Sequence, residues 1–395
     1  MPWKNIGKSE ARRAFVEACW KQKTSIAEAC RCFGISRQCG HKWWRRAQEE
    51  GWSKQAQLAD RSHRTRAAER LQQRWGGRVL ALRRRHPCAG ADQLRWYLEL
   101  EYPLGPWPGV RTITDWLQSA RLTRRRRRRA RPGPQVERQR SVALRPNDVW
   151  TIDFKGWFYT RDGQRVLALT VRDGATGFLL LVRDMKSATD RHVRKVLIRL
   201  FRRYGLPRVM RSDNGPPFGG EGPRGWSSLA VWWVGLGIKV EYGRPGCPQD
   251  NAAHEQMHQV LKQETTQPAA LTRVAQQRRF DRWRNKYNHH RPHQGLGMHP
   301  RGCYYRPSPG PVQLQSWSYP ADCELKRTDP RGRIHWRNQP RHIGRAFARQ
   351  IVALKPRSRN SVAVYFGPHL LGELHASDCT GIRAVRVHTC KGRRG

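Results

Sequence analysis

Val149-Trp150-Thr151-Ile152-Asp153-Phe154 is an apolar, β-branched and aromatic run with one aspartate set inside it. Aspartate is disfavoured there, both as a strand former and as a half-buried charge, so something must compensate for Asp153. Working outward, 165–171 and 177–182 are two more strand-like runs. Turns at Arg161-Asp162-Gly163 and Asp173-Gly174 join the three, the pattern of consecutive antiparallel hairpins.

Downstream the periodicity changes. Ser187, with Asp190 three positions on, can cap a helix whose stripe is Val193, Val196, Leu197, Leu200, Phe201 and Tyr204, ended by Gly205. A strand at 208–212, a helix at 227–236, a strand at 238–242 and helices from Asp250 and Leu271 follow. Three hairpin strands and then alternating helices and strands is the order of an RNase H-like α/β sheet. After Pro300 the runs 324–328, 333–336, 351–354, 362–366 and 370–374, with a turn at Asp329-Pro330-Arg331-Gly332, predict a small C-terminal β-barrel.

Upstream, residues 10–47 carry two helical patterns. Ser25 can cap a helix with Ile26, Ala29, Cys30 and Phe33 on one face; Gly34 breaks it and Ser36 can cap the next. That is the shape of a helix-turn-helix, with a plain helical hairpin as the alternative. Its second helix would expose Arg37, Gln38, His41, Lys42 and Arg45, and this element enters the major groove in such motifs. Three further short helices, near 78–85, 93–100 and 110–120, suit a second small DNA-binding bundle. Arg124, Arg125, Arg126, Arg127, Arg128 and Arg129 then repel one another and cannot pack, so they form a linker or arm. It lies in a minor groove or serves as a solvated tether.

The chain has 77 Lys+Arg against 30 Asp+Glu, a formal charge of +47. Guanidinium forks match phosphate oxygens and release counterions, so a nucleic acid is the expected partner. The ten cysteines, the charged start and the lack of any 18-residue apolar run point to a reduced, cytoplasmic, nucleoid-associated protein that spans no membrane. Cys30, Cys32 and Cys39 with His41 lack the paired spacing of a zinc site.

Two more carboxylates stand out. Asp213 ends the strand 209–212 and precedes Asn214-Gly215, so it projects from the carboxyl end of a sheet, where open α/β sheets place ligands. Glu255 lies one turn into a helix capped by Asp250 or Asn251, with His258 and Lys262 on the same face. Alone, the first reads as a turn residue and the second as a helix-dipole partner. Three carboxylates held together instead suit hard divalent ions acting at phosphorus.

The blocks Asn147-Asp148-Val149-Trp150-Thr151-Ile152-Asp153-Phe154-Lys155-Gly156, Ser212-Asp213-Asn214-Gly215, and Arg244-Pro245-Gly246-Cys247-Pro248-Gln249-Asp250-Asn251 before His254-Glu255 and Lys262 occur in order. With Tyr287-Asn288-His289-His290-Arg291-Pro292-His293-Gln294-Gly295-Leu296 they resemble the DDE transposase and retroviral-type integrase core, most of all the integrase-like transposases of bacterial insertion sequences. The resemblance implies that Asp153, Asp213 and Glu255 hold two Mg2+ (or Mn2+) ions, with Lys262 near bound DNA. It also implies cleavage at element ends, transfer of the 3′-hydroxyl into target DNA, and a homo-oligomer that synapses the ends. The chain departs from the family in the 41 residues between Asp213 and Glu255, longer than usual, with the excess expected at 216–228. The gap makes Glu241 a rival third ligand, but it lies in an expected strand and lacks the lead-in. Ala252 stands where relatives often have glycine.

The expected division is a helix-turn-helix domain at 1–66, a second helical module at 67–123, an arginine-rich linker at 124–145, the catalytic core at 146–300 and a β-rich domain at 301–395. A transposase-derived regulator that binds DNA without cutting is the alternative function, and a nuclease on the same core a third.

Overall fold

The computed structural model describes residues 7–21, 24–49, 51, 58, 65–123, 140–244, 251–308 and 312–385. The six arginines at 124–129 and most of the lead-in to Glu255, 245–250, lie outside the described residues. Two compact units divide between Arg74 and Trp75. Among the described residues no helix is long and apolar enough to cross a membrane.

The first unit contains α1 (Lys8–Lys21), α2 (Ile26–Cys32) and α3 (Arg37–Glu49). Ser25 caps α2 by accepting from Glu28 N, and Ser36 Oγ accepts from Cys39 N at 3.2 Å at the start of α3. Gly34, at φ +62°, makes the turn between them. Phe15, Val16, Ala29, Cys30 and Trp43 form the buried centre. A side chain at Gly40 would overlap Cys30 Sγ and come within 3.0 Å of the Phe15 ring, so this glycine sets how closely α2 and α3 approach. The helix α4 (Arg66–Arg85) crosses the division between units.

The second unit is built on a five-stranded sheet. Its strands are β1 (Val149–Tyr159), β2 (Arg165–Asp173), β3 (Leu179–Met185), β4 (Val209–Ser212) and β5 (Lys239–Tyr242), in the order β3-β2-β1-β4-β5. β1, β2 and β3 are antiparallel, while β4 pairs in parallel with both β1 and β5. Strand alternation sends Trp150 and Ile152 to one face, against α7 (Asp190–Tyr204) and α8 (Ser228–Gly235). It leaves Thr151, Asp153 and Thr170 for the other face, which α9 (Ala252–Thr265) and α10 (Arg273–His289) cover. β1 runs five residues past the end expected from its pattern. An irregularity between Phe154 and Trp157, with Gly156 at φ +84°, breaks the alternation that the sequence showed, just after Asp153. α7 begins at Asp190 with Thr189 at its N-cap, not Ser187 as expected.

The expected C-terminal barrel is replaced by an open sheet. β6 (Glu324–Arg327), β9 (Ile351–Ser358), β10 (Ser361–Phe366), β11 (His369–His375) and β12 (Arg383–Ala384) lie in the order β12-β11-β10-β9-β6, and β7 (Arg333–Trp336) pairs with β8 (Gln339–His342) as a separate hairpin. Closure needs both end strands to pair with each other, and among the described residues β12 is only two residues long and β6 bonds only β9. The sheet buries its inner face against the core of the β1–β5 sheet. Phe347, Val352, Val364, Phe366 and Leu371 are continuous with Phe218, Trp226, Leu229 and Trp233.

The long segment between Asp213 and α8 is the seat for this docking. Arg224 N donates to Val385 O at 3.0 Å, Arg224 Nη1 donates to Leu370 O at 3.3 Å, and the Trp226 ring meets Phe347 and His369. On the opposite side, α5 (Ala91–Glu101) packs on the end of the core. Gln93 Nε2 donates to Pro292 O at 2.7 Å and Arg291 Nη2 to Cys88 O at 2.9 Å. The third helix of this module, α6 (Val110–Ser119), packs on α5.

β3 is an edge strand, and its outward backbone groups need partners. Side chains of α10 supply them. Asn288 accepts from Leu179 N at 2.8 Å and donates to Leu179 O at 2.9 Å, and Gln277 does the same for Asp184 N and Val182 O. Asn288→Leu therefore strands two buried backbone groups and should cost about 3 kcal/mol. Urea unfolding of the full chain reads this; a midpoint equal to wild type would show that the edge is held by packing alone.

Candidate active site

Asp153 stands on β1 opposite Thr170 of β2, and Thr151 stands opposite Arg172. Above them α9 presents His254, Met257, His258, Leu261 and Thr265, a buried stripe at helical spacing. His254 is fully buried. Its Nδ1 lies 2.9 Å from Thr151 Oγ1 and its Nε2 lies 2.7 Å from Thr170 Oγ1. Thr170 Oγ1 also sits 2.8 Å from His258 Nε2 and 3.0 Å from the Asp153 carbonyl oxygen.

A hydroxyl has one proton and two lone pairs. Satisfying all three contacts requires Thr170 to donate to the Asp153 carbonyl and both imidazoles to donate from Nε2. Both Nδ1 atoms are then acceptors. That of His254 takes the Thr151 proton, and that of His258 faces Asp153 Oδ2 at 3.9 Å. A lone pair facing a carboxylate oxygen is an arrangement that a proton or a cation completes. Burial also keeps both imidazoles neutral: it pulls His258 down to about 3, helped by Lys155, and His254 well below its ordinary value, helped by His258 and Arg172.

Asp153 itself is pushed up to about 7, first by burial and then by the neighbouring charge of Asp213. The Phe154 N–H opposes this, Glu255 adds to it, and Lys155 opposes it. Asp213, exposed at the mouth, is raised by lost hydration against the N–H groups of Gly215 and its own backbone. Asp153 thus lies near enough to feel the charges of both Asp213 and Glu255, the other two carboxylates singled out in the sequence. Their donor set of hard oxygens fits divalent magnesium or manganese.

Asp153, His254 and His258 also place one ligand atom each within 4.8 Å of one another. Both nitrogens of His254 are committed to threonine hydroxyls, however, so it holds the strand to the helix and does not face an ion. The rival Glu241 is spent elsewhere. It loses hydration on burial but accepts from Ser141, Arg211 and Lys239, which together hold it down at about 2.

Sequence reasoning did not find the roles of Thr170, His254, Lys155 and Asn251. Asn251 Nδ2 reaches Asp153 Oδ2 at 3.4 Å from the N-cap of α9. Lys155 is lowered by burial and by Lys262 and raised by Asp153, so an ammonium group stands near the strand carboxylate. The signal for His254 was its position three residues after Asn251 and four before His258. Arg37, Gln38, His41, Lys42 and Arg45 are all exposed on α3, in the first unit.

A mixed sheet with clustered carboxylates and a separate helix-turn-helix unit make an integrase-like core joined to a DNA-recognition fold. The family description "Integrase core domain" matches residues 143–248 and again 236–300, and "Helix-turn-helix domain" matches 11–66. An uncharacterized 31.7 kDa protein of insertion element IS407 from Burkholderia multivorans is 31% identical over 43% of this chain and 60% of its own length. An uncharacterized 39.2 kDa protein of insertion element IS476 from Xanthomonas euvesicatoria is 29% identical over 56% of this chain and 62% of its own length. The chain thus spans a little under two thirds of these curated relatives. The HTLV-2 integrase catalytic core domain, solved in complex with magnesium, covers 42% of this chain and 100% of its own, at 14% identity and a TM-score of 0.34. These matches support membership of residues 143–300 in the DDE transposase and integrase superfamily.

Asp153 is raised first by burial and then by the charge of Asp213, so removing its charge relieves on the order of 2 kcal/mol. Metal-free Asp153→Asn protein should therefore melt higher than wild type at pH 8 and lose most of the extra stability that Mg2+ gives. A lower midpoint with the Mg2+ response intact would contradict this electrostatic account.

Proposed function

We propose that the chain is a DNA transposase that cuts at the ends of a mobile element and joins the freed 3′-hydroxyl to target DNA. The observation that carries this reading is Asp153, pushed up to about 7 by burial and then by the charges of Asp213 and Glu255, inside a matched integrase core. Held by these carboxylates, two magnesium or manganese ions would supply Lewis acidity at the phosphoryl oxygens and acidify the attacking hydroxyl or water.

The chain's own residues do the rest. The three carboxylates provide the oxygen ligands. Thr170 bonds the Asp153 carbonyl and Asn251 its carboxylate, while Lys155 and Lys262 offer cations to the phosphates on either side of the reacting bond. A water oxygen attacks phosphorus at the element terminus, the bond to the 3′ oxygen breaks, and the products are a 3′-hydroxyl and a 5′-phosphate. That 3′ oxygen then attacks a target phosphodiester, forming one phosphorus–oxygen bond as another breaks, so strand transfer needs no external energy source.

In this reading residues 1–66 recognise the element end, with Arg37, Gln38, His41, Lys42 and Arg45 of α3 in the major groove. The module at 67–123 and the arginines 124–129 grip the adjoining backbone. Both partners are double-stranded DNA, and synapsis of two ends calls for more than one copy of the chain.

The test incubates the full chain with its flanking genomic ends, a plasmid target and Mg2+, beside Asp153→Asn and Glu255→Gln. Joined products that fall at least 100-fold in both variants are expected. Binding without cleavage in any divalent metal would replace the proposal with a DNA-binding regulator, and cleavage without joining would replace it with a nuclease.

A further inference from the structure

A second polar cavity, of about 600 Å³, lies between α5, the β2–β3 turn, α9 and the stretch that follows α10. Arg172, Arg291, Arg301 and His293 line it. Arg301 is only 6% exposed, yet its Nε has no hydrogen-bond partner among the described residues; neither do Arg172 Nε and His293 Nδ1. Arg301 Nη1 reaches Tyr287 O only at 3.4 Å, and its guanidinium rests 4.1 Å over the Tyr287 ring. A Cβ on Gly177 would lie 3.0 Å from Arg172 Nη2 and 3.2 Å from Arg301 Nε. The turn glycine therefore opens a slot in which two guanidinium groups lie side by side.

Like charges brought together out of water, with donors unspent, are costly unless an anion joins them. The carboxylates nearby are already engaged. Asp173 accepts from Asn147 N, Thr176 N and Thr176 Oγ1, and only partly offsets Arg172. Glu264 accepts from Arg291 and Trp283, and Asp92 at the rim accepts from Gln294. The excess is therefore positive, and His293 registers it: burial, then Arg301, Arg172 and Arg291, pull it down to about 4. α5 adds its positive end, beginning beside the cavity at a glycine N-cap.

We propose that this cavity binds one phosphate group between Arg172, Arg301 and His293 Nδ1. Ala253 and Gln256 line the same cavity from α9, so its occupant braces the helix that also carries Glu255. The phosphate belongs to a DNA strand or to a free phosphate compound, and the site stands whether or not the carboxylates cut DNA.

The test uses the full chain with inorganic phosphate against chloride at constant ionic strength, read by calorimetry and by the unfolding midpoint. Arg301→Gln removes a donor. Gln256→Glu places a carboxylate at the exposed rim, where the fold tolerates it. Each should weaken phosphate binding about tenfold or more. A second arm measures duplex DNA affinity against salt: a slope shallower by about 0.9 in both variants assigns the phosphate to the DNA backbone, and an unchanged slope assigns it to a free compound. If Arg301→Gln fails to fold, Gln256→Glu decides. Phosphate affinity equal in wild type and the folded variants overturns the site, because the remaining positive surface would then account for all of it.

Discussion

Everything at the carboxylate site depends on one hydroxyl. Thr170 Oγ1 meets the Asp153 carbonyl, His254 Nε2 and His258 Nε2 within 3.0 Å, at the point where β1, β2 and α9 come together. Because that group is buried, its geometry is enforced by the cost of leaving any of these polar atoms unpaired. The result couples two elements separated by more than eighty residues. α9 cannot slide along the sheet without breaking the network, so the distance between the strand carboxylate and the helix carboxylate is fixed by neutral hydrogen bonds and needs no ion pair. That matters at this site, since a cation placed there to hold the fold would compete with the metals the carboxylates are suited to bind.

The same economy of position explains the long interval between Asp213 and Glu255. The added residues form the seat on which the C-terminal sheet packs, through Arg224, Trp226 and the aromatic cluster around Phe347. The C-terminal strands could then stay an open sheet, since their apolar face is covered by the catalytic unit and a closed barrel is not needed to bury it. One core thus serves both sheets. The loop that carries Asp213 is anchored at its far end by that core, and at its near end Asn214 Nδ2 donates to Gly243 O at 3.0 Å.

Local pattern made the helix-turn-helix and the catalytic strands legible. Ser25, Gly34 and Ser36 act where their turn and capping chemistry predicts, and the Asp153 run is a strand. The misses share a cause, which is that periodicity along one segment does not show what decides them. β1 outlasts its alternation because of an irregularity at Lys155-Gly156, and β8 went unread because Gln339-Pro340-Arg341-His342 has no strand periodicity. The barrel failed as an expectation because strand count and turns say nothing about which face another domain will cover. At the site, carboxylates are visible in sequence as oddities within apolar runs. A threonine or histidine that satisfies them is not, since a buried Thr170 reads as an ordinary strand residue until its three partners are placed.

The charge of +47 needs a finer reading than composition allows. Several arginines bond backbone carbonyls: Arg284 to Leu180, Arg279 to Pro268 and Arg224 to Leu370. A carbonyl offers a lone pair but no counter-charge, so each such arginine works structurally while its full positive charge still counts in the total. Arginine suits this work because its guanidinium has five donors and a weaker hydration shell than an ammonium group. The basic excess is therefore partly a means of tying helices and strands together, and the part available to phosphates is smaller than the sequence total. Counterion release on DNA binding scales with phosphates contacted and not with net charge.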